Sequence, residues 1–280
     1  HSVARHTPVL LRVDRTVLLD IRYISEIRRY KPNGYLGGQR LEDGTVLWDM
    51  SRHPVSVWAD DKWSKIVHLS CHPLREGDSV RRLVASGGIL EVTGEHSVMV
   101  PGAEGRVAAS AKDLSVGDRV ALVDLPQSAG MWVHEDAAWL LGFFVAEGCI
   151  TNAKVRIDNS DRKPLERCAE ILLQHYGQDS YFMQPQAGMW RLVVRRPEAF
   201  ARWLHPQVYA SDRNKRVPQN ILNAPHDAKL AFLRGYNEGD GLRAGHGTYE
   251  PKSFKTKSPI LALGLGYLVA STTRQRICLN

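Results

Sequence analysis

The sequence predicts a multidomain chain in which an all-β domain is followed by an α+β domain. Up to about residue 123, short apolar runs recur roughly every ten residues between Gly, Pro and Asp-Gly turns, a spacing typical of all-β domains. Beyond about residue 135 the apolar period becomes that of amphipathic helices alternating with short strands. Between the two regions lies Leu125–Met131, a Pro, Ser and Gly break with the composition of a linker.

Ten short runs predict the strands of the first domain. Each run is apolar or alternating and is bounded by turn residues. No helical period longer than two turns competes with them in this region. The runs are TPVLLRV, TVLLDIRYI, GTVLWDM, HPVSVWA, SKIVHLS, SVRRLVAS, GILEVTG, HSVMVP, GRVAAS and DRVALVD.

The second domain is predicted to alternate helices and strands. The run EDAAWLLGFFVAEG has an acidic first turn, an apolar body and a glycine stop, which predicts a helix. CITNAKVRID is strand-like, and a helix is expected over about Arg162 to Tyr176. DSYFMQ and MWRLVVRR then predict strands, and PEAFARWLH and DAKLAFLRGYNEGDG predict helices. PKSFKTKS, PILALGLGYLVA and RQRICLN are expected to follow as strand, helix and strand.

The composition excludes two other classes of protein. With 43% hydrophobic and 24% charged residues among 280, the chain can form hydrophobic cores and is not mainly disordered. No apolar run approaches the ~20 residues of a membrane span, and the run HSVARHTPVL lacks the layout of a signal peptide. We therefore expect an intracellular, cytoplasmic protein without a membrane partner.

The net charge of +7 is confined to the second half of the chain. Residues 1–135 carry 17 Lys and Arg against 17 Asp and Glu, whereas residues 136–280 carry 20 against 13. A basic half beside a neutral half is expected of a polyanion-binding domain joined to another domain. A basic but otherwise unspecialised surface is the alternative.

Two of the predicted helices share a pattern of glycine and acid. Gly142 corresponds to Gly235 and Glu147 to Asp240, both at an offset of 93 residues. Glycine within a helix costs about 1 kcal/mol relative to alanine, and close contact between two helices would explain it. Helices crossing there in parallel would bring the two acids together, where oxygen ligands favour a cation such as Mg²⁺. The alternative is two ordinary helices with acids beside glycine C-caps.

This pair resembles the duplicated motif of the LAGLIDADG homing endonucleases, and Asn214–Gly241 is similar to the block of that motif found in inteins. The resemblance implies αββαββα repeats that form a saddle on double-stranded DNA, with the second repeat incomplete. It gives Glu147 and Asp240 the role of binding Mg²⁺ for phosphodiester hydrolysis. It also makes Lys215 the active-site lysine and Lys257 its candidate counterpart in the second repeat.

The same resemblance assigns DNA contact to basic residues on and beside the strands. Arginine on an exposed strand can hydrogen-bond guanine edges, while lysine more often contacts phosphate. Taken singly, such a residue is more often a solvated surface charge, so the prediction rests on the set. The candidates are Lys154, Arg156, Arg191, Arg195 and Arg196 in the first repeat, and Lys252 and Lys255, with Lys257, in the second.

The first domain resembles the Hint fold, a horseshoe-like all-β fold shared by inteins and hedgehog autoprocessing domains. GILEVTGEHSVMVP is similar to the Thr-x-x-His block of that fold, and SVARHTPVLLR to the first intein block. The resemblance implies that Ser2 is the nucleophile of an N-to-O acyl shift, His96 the general acid and Thr93 a hydrogen-bonding partner, with no cofactor. Ser2 is either native or a replacement for Cys.

The resemblance covers nearly the whole chain and implies its domain boundaries. We expect a Hint splicing domain over 1–128, a linker over 129–136 and an endonuclease domain over 137–280, with repeats at 137–210 and 226–280. No closing block precedes Asn280, so we interpret the chain as the N-terminal portion of a split or truncated intein. A complementary C-terminal intein fragment and flanking extein sequences are the implied protein partners.

Two alternative functions remain open. One is a DNA-binding protein whose endonuclease has decayed, and the other is a hedgehog-type autoprocessing domain. Cleavage of plasmid DNA with Mg²⁺ would discriminate the first, and cholesterol-dependent cleavage the second.

Overall fold

A computed structural model of the chain describes residues 2–13, 16–29, 37–128, 130–241, 254–273 and 275. The chain divides into two compact units, of which the first comprises His1–Gln127 with Gln275–Asn280 and the second Ser128–Arg274. In the described residues, no helix combines the length and the apolar character that crossing a bilayer requires.

The first unit consists of short antiparallel strands, which confirms the all-β prediction. Two sheets have the strand orders β2-β1-β5-β6 and β3-β4-β7, and β8-β9 and β10-β11 form separate hairpins. Two 3₁₀ helices, Ile24–Arg29 and Ala111–Asp113, interrupt the strands. The strands are β1 (Pro8–Val13), β2 (Leu18–Tyr23), β3 (Gln39–Arg40), β4 (Val46–Asp49), β5 (Val55–Ala59), β6 (Lys62–Lys65), β7 (His68–Cys71), β8 (Val80–Ala85), β9 (Gly88–Thr93), β10 (Ser97–Gly102) and β11 (Gly105–Ser110).

Two predicted strands of this unit differ in the structure. SKIVHLS is divided between β6 and β7, because the chain leaves β5 and pairs with β4 instead. DRVALVD is not a strand. Its end is held by side chains rather than by a ladder, since Trp58 donates to the Asp124 carbonyl and the Asp124 amide donates to Asp61, both at 2.7 Å.

A small core is formed by residues of the hairpins β8-β9 and β10-β11 and of the 3₁₀ helix that follows them. Val92, Val98 and Ala111 are buried there, and Val3 packs against them. Val3 is also bridged to Val92 in an antiparallel arrangement. The beginning of the chain is thereby held alongside β9, which places Ser2 at the end of that strand.

The second unit is an α+β domain whose first part has the predicted αββαββα order, which confirms the fold class. Its four strands form one antiparallel sheet in the order β12-β13-β15-β14. The elements are α1 (Glu135–Glu147), β12 (Gly148–Thr151), β13 (Lys154–Asn159), α2 (Arg162–Tyr176), β14 (Ser180–Gln186), β15 (Met189–Val194), α3 (Glu198–Val208), α4 (Gln219–Leu222), α5 (His226–Asp240) and α6 (Pro259–Thr273).

The bounds of α2 follow from its sequence. Asp161 accepts a hydrogen bond from the Lys163 amide at the start of the helix, and Gly177 ends it in the left-handed region with φ 61°. The helix over PILALGLGYLVA is confirmed as α6. The short α4 has no counterpart in the sequence analysis. Most of RQRICLN and the first part of PKSFKTKS lie outside the described residues.

Candidate functional site

Helices α1 and α5 touch through their backbones at two glycines. A Cβ built on Gly142 would lie well inside contact distance of the Phe232 carbonyl oxygen on α5, and 2.9 Å from the Tyr236 nitrogen. A Cβ on Gly235 would likewise meet the Trp139 carbonyl oxygen on α1. The close contact expected from the matched glycines is therefore present, and it is reciprocal.

The same packing brings the acidic ends of the two helices together. A Cβ on Gly239 of α5 would lie 2.9 Å from the Glu147 side chain. Asp240, the next residue, ends α5, as Glu147 ends α1. Glu147 is half-buried and accepts a 3.3 Å hydrogen bond from the Asn159 amide group, whereas Asp240 is exposed. Two carboxylates thus converge at one end of the helix pair.

The glycines that follow the two acids are not left-handed caps. Gly148 has φ −76° and Gly241 has φ −65°, both of which any residue can adopt. Glycine is required there because a Cβ on Gly148 would enter the Phe144 ring, and one on Gly241 would meet Asn237. Both glycines are nevertheless the C-caps of their helices, as the alternative expected, and the pair departs from ordinary helices in the backbone contact at Gly142 and Gly235.

Lys215 lies at the C-terminal end of α1, close to both acids. Its ammonium group donates to the carbonyls of Phe144, Val145 and Gly148, at 2.9, 3.1 and 2.6 Å. An ammonium has three donors, so all of them are used in this state. The carbonyls at a helix end carry a partial negative charge, which the Lys215 ammonium offsets, and the Phe144 carbonyl also accepts from the Gly148 amide.

The pKa values of this cluster are shifted by burial. Burial lowers the pKa of Lys215 to about 8, against the opposing effects of Cys149, Asp240 and Glu147. Burial also raises the pKa of Asp240, and Lys215 partly offsets that rise. Two carboxylates with one ammonium leave excess negative charge, and their oxygens are the ligands that a hard divalent cation prefers. Glu147 and Asp240 therefore fit a Mg²⁺ site.

Three of the predicted DNA-contacting residues share one face of the sheet. Lys154, Arg156 and Arg191 line a shallow pocket of about 430 Å³, together with Thr151, Asn152, Tyr181, Met183 and Val193. Alternate residues of β13, such as Val155 and Ile157, are buried on the opposite face. Arg191 is paired with Asp158 through two hydrogen bonds of 2.6 and 2.9 Å.

The remaining predicted DNA contacts lie elsewhere. Arg195 and Arg196 are exposed after β15, and Arg195 pairs with Asp179 at 3.2 Å. Lys255 and Lys257 are exposed before α6, while Lys252 lies outside the described residues. Lys257 makes no ion pair or hydrogen bond with the described part of the chain. Its neighbour Ser258 donates to the Lys215 carbonyl at 2.8 Å.

A second group of metal-binding side chains lies at the start of α1. Ligand atoms of His134, Asp136 and His175 are within 4.8 Å of one another. However, Asp136 already pairs with Arg167 at 3.1 Å, and His134 Nδ1 accepts from the Asp136 amide. These bonds already engage Asp136 and one nitrogen of His134.

In the first unit, Ser2 is hydrogen-bonded to Thr93 through both its amide and its carbonyl. The Ser2 amide donates to Thr93 Oγ1 at 3.1 Å, and the Thr93 amide donates to the Ser2 carbonyl at 2.9 Å. The Ser2 amide belongs to the peptide bond that follows His1, a residue outside those described. The structure thus brings two of the three predicted processing residues into direct contact.

His96 closes the turn that begins at Thr93. Its amide donates to the Thr93 carbonyl at 2.9 Å. Burial lowers the pKa of the imidazole. Its Nδ1 atom is buried and has no hydrogen-bond partner among residues 2–275 as described. A buried polar atom without a partner costs free energy of folding, and a catalytic role such as proton transfer is one explanation for such an atom.

His72 is a site residue that the sequence analysis missed. It follows β7, and its Nε2 atom lies 2.8 Å from Ser2 Oγ. The two residues are 70 positions apart, and His72 has no motif around it. A contact between residues so far apart in the sequence leaves no local sequence signal.

Comparison with known proteins identifies part of the second unit. Residues 134–204 match the family described as LAGLIDADG-like domain. The chain is 23% identical over 286 residues to a DNA polymerase of Acanthamoeba polyphaga mimivirus, a match that covers 96% of this chain and 16% of the polymerase. It is 25% identical over 283 residues to the replication factor C small subunit of Methanocaldococcus jannaschii, covering 85% of this chain and 15% of that subunit. The chain thus spans about a sixth of these relatives.

Solved structures with a partial likeness include inteins and homing endonucleases. A mini-intein of transcription factor IIB (Mvu) has a TM-score of 0.36 and 21% identity over 43% of this chain and 70% of that chain. The endonuclease I-DmoI in complex with DNA and Ca has a TM-score of 0.34 and 12% identity, covering 48% of this chain and 70% of that chain. The matched residues comprise α1, the four strands of the sheet, α2 and the first part of α3.

Proposed function

We propose that the chain is intein sequence, with a self-processing first unit and a DNA-cleaving second unit. The observation that carries the first part is the paired hydrogen bonding of Ser2 with Thr93, which begins the turn that also holds His96. The Ser2 hydroxyl is the proposed nucleophile, and the half-buried imidazole of His96 is the proposed proton donor.

The proposed reaction is an N-to-O acyl shift. Ser2 Oγ attacks the carbonyl carbon of the preceding peptide bond, the C–N bond breaks, and an ester replaces the amide. The departing amine must gain a proton, which His96 supplies as general acid. Thr93 holds the amide nitrogen through its 3.1 Å hydrogen bond, which fixes the orientation of the bond that breaks.

The pattern of relatives supports this proposal. Nearly the whole chain matches about a sixth of a DNA polymerase, and most of it matches a similar share of a replication factor subunit. Half of it, at 30% identity, matches 13% of the helicase Hel308 of Thermococcus kodakarensis. A segment common to small parts of differently named proteins is expected of an element inserted into hosts.

Ser2→Ala is expected to abolish ester formation while leaving the fold intact, because the change removes only the attacking oxygen of a half-buried side chain. The full chain would carry a folded reporter protein before His1, and release of the reporter by hydroxylamine would be followed by mass spectrometry. Hydroxylamine cleaves esters far faster than amides. Ser70→Ala, at an exposed serine of β7, is the control and should release reporter at the wild-type rate. Equal release from wild type and Ser2→Ala would contradict the proposal.

We propose that the second unit cleaves double-stranded DNA with Mg²⁺, held by Glu147 and Asp240. The observation that carries this part is the reciprocal glycine contact that brings the ends of α1 and α5 together. The ion would polarise a phosphodiester and lower the pKa of an attacking water. The face with Lys154, Arg156 and Arg191 would bind the duplex, and Lys215 would hold the end of α1 so that Glu147 keeps its place.

Asp240→Asn is expected to reduce DNA nicking at least about 100-fold, because an amide binds a divalent cation far more weakly than a carboxylate. Nicking of a supercoiled plasmid with Mg²⁺ would measure this, and a gel-shift assay would check that DNA binding is kept. Asp227→Asn, at an exposed acid in the first turn of the same helix, is the matched control. Binding without any nicking by the wild type would instead favour the alternative, a DNA-binding protein with a decayed endonuclease.

A further inference from the structure

We propose that His72 is a catalytic residue of the acyl shift, acting as the general base that removes the proton from the Ser2 hydroxyl. The inference rests on the self-processing function proposed above and assigns it a group that the Thr-x-x-His motif does not contain. The geometry that points to it is a 2.8 Å contact between His72 Nε2 and Ser2 Oγ, the atom that would attack.

The Ser2 side chain has little freedom to adopt another arrangement. Its amide and its carbonyl are both hydrogen-bonded to Thr93, and the next residue, Val3, is bridged to Val92. With the backbone fixed on both sides, Oγ can occupy only the few positions that χ1 rotation allows. In this structure it occupies the one beside His72.

The other partner of the contact, His72, is held by the strand that it follows, β7. The preceding residue, Cys71, is paired with Val46 of β4, and the following residue is Pro73, which restricts the backbone of His72 to extended conformations. Both partners of the 2.8 Å contact are therefore positioned by strands rather than by loops alone. A general base must lie within about 2.6–3.2 Å of the proton donor, and His72 meets this condition.

A serine nucleophile needs such a base more than a cysteine would. A hydroxyl is a weak nucleophile at neutral pH and is activated by an adjacent base, whereas a thiol is partly ionised and intrinsically more reactive. Imidazole is the side chain best suited to accept a proton near neutrality. With His96 as the acid, the site would contain one histidine for each proton transfer.

The proton balance of the step is complete with these two residues. His72 Nε2 takes the proton of Ser2 Oγ as the O–C bond forms. The C–N bond then breaks, and the nitrogen gains a proton from His96 to become an amine. His72 ends as imidazolium and His96 as neutral imidazole, and exchange with water restores both. No oxidant, reductant or other reactant is consumed.

The test compares His72 variants with two different nucleophiles. In the full chain with a reporter before His1, His72→Ala and His72→Gln should each slow hydroxylamine-sensitive ester formation about 100-fold or more. In a Ser2→Cys background the same substitutions should slow thioester formation less than about 10-fold, because a thiol depends less on a base. His68→Ala, at the exposed first residue of β7, is the matched control and should change neither rate.

The outcomes distinguish a general-base role of His72 from a purely structural one. Glutamine can hydrogen-bond Ser2 but cannot take its proton, so a wild-type rate in His72→Gln would overturn the proposal. An equal loss with Ser2 and with Cys at position 2 would also overturn it, since a structural defect affects both nucleophiles. If the wild type forms no ester at all, the acyl shift itself fails. If the wild type reacts and the His72 variants react equally fast, only the role of His72 fails.

Discussion

Gly142→Ala is expected to lower the free energy of unfolding of the second unit by about 2–3 kcal/mol. Helix propensity alone predicts the opposite, a gain of about 1 kcal/mol when glycine within a helix becomes alanine. The contact between α1 and α5 makes the net change in unfolding free energy unfavourable. The new Cβ would meet the Phe232 carbonyl group and the Tyr236 nitrogen, which are backbone atoms of α5 and cannot rotate away. Urea unfolding followed by the helical circular dichroism signal would measure the change.

Gly235→Ala should have a similar effect, since its Cβ would meet the Trp139 carbonyl oxygen of α1. The double substitution should cost less than the two single ones together, because the first already separates the helices. Gly88→Ala, at a glycine with open space around its Cβ position, is the control and should stay within about 0.5 kcal/mol of the wild type. A stabilising effect of Gly142→Ala would contradict the backbone contact between α1 and α5.

The glycine contact was predictable from sequence because its signal is periodic. Two glycines in mid-helix, each followed five residues later by an acid, needed a common reason, and close packing of the two helices supplies it. The bounds of α2 were predictable for a related reason, since Asp161 and Gly177 act within their own helix. Signals of this kind are local or repeat at a fixed offset.

The contacts that were missed have no such signal. His72 meets Ser2 across 70 residues, and a single histidine before proline has no pattern that indicates its partner. SKIVHLS has an unbroken strand pattern, yet the chain changes partner strands within it, which depends on where β4 and β5 lie. The glycines after Glu147 and Asp240 were expected as possible caps, but the Phe144 and Asn237 side chains are what exclude a Cβ there. Tertiary packing decides each of these cases.

Lys215 was assigned from sequence as an active-site lysine, and the structure adds a second task that sequence could not reveal. Its three donors are all bonded to carbonyls at the end of α1. An ammonium so engaged stabilises the helix end that positions Glu147. To contact a phosphate, the ammonium would have to release one of these carbonyls when DNA binds. Replacing Lys215 should therefore affect both stability and cleavage.

Lys215→Met is expected to destabilise the second unit by about 2 kcal/mol at pH 7. The substitution leaves three carbonyls without their charged donor, which outweighs the relief of burying a charge. Lys163→Met, at an exposed lysine of α2, is the control and should change stability by less than about 0.5 kcal/mol. Urea unfolding at pH 7 would measure both.

The loss of unfolding free energy caused by Lys215→Met, relative to the wild type, should also grow above pH 8. Burial lowers the pKa of Lys215 to about 8 in the folded chain, whereas an unfolded lysine titrates near 10.4. Between these values the unfolded state binds more protons, so the contribution of Lys215 to stability rises with pH, by about 1.4 kcal/mol per unit. Burial also lowers the pKa of Lys229 to about 8, but Lys229 is present in both proteins and its effect cancels in the difference. A difference between wild type and Lys215→Met that stays constant from pH 7 to 10 would show that the ammonium is not buried as described.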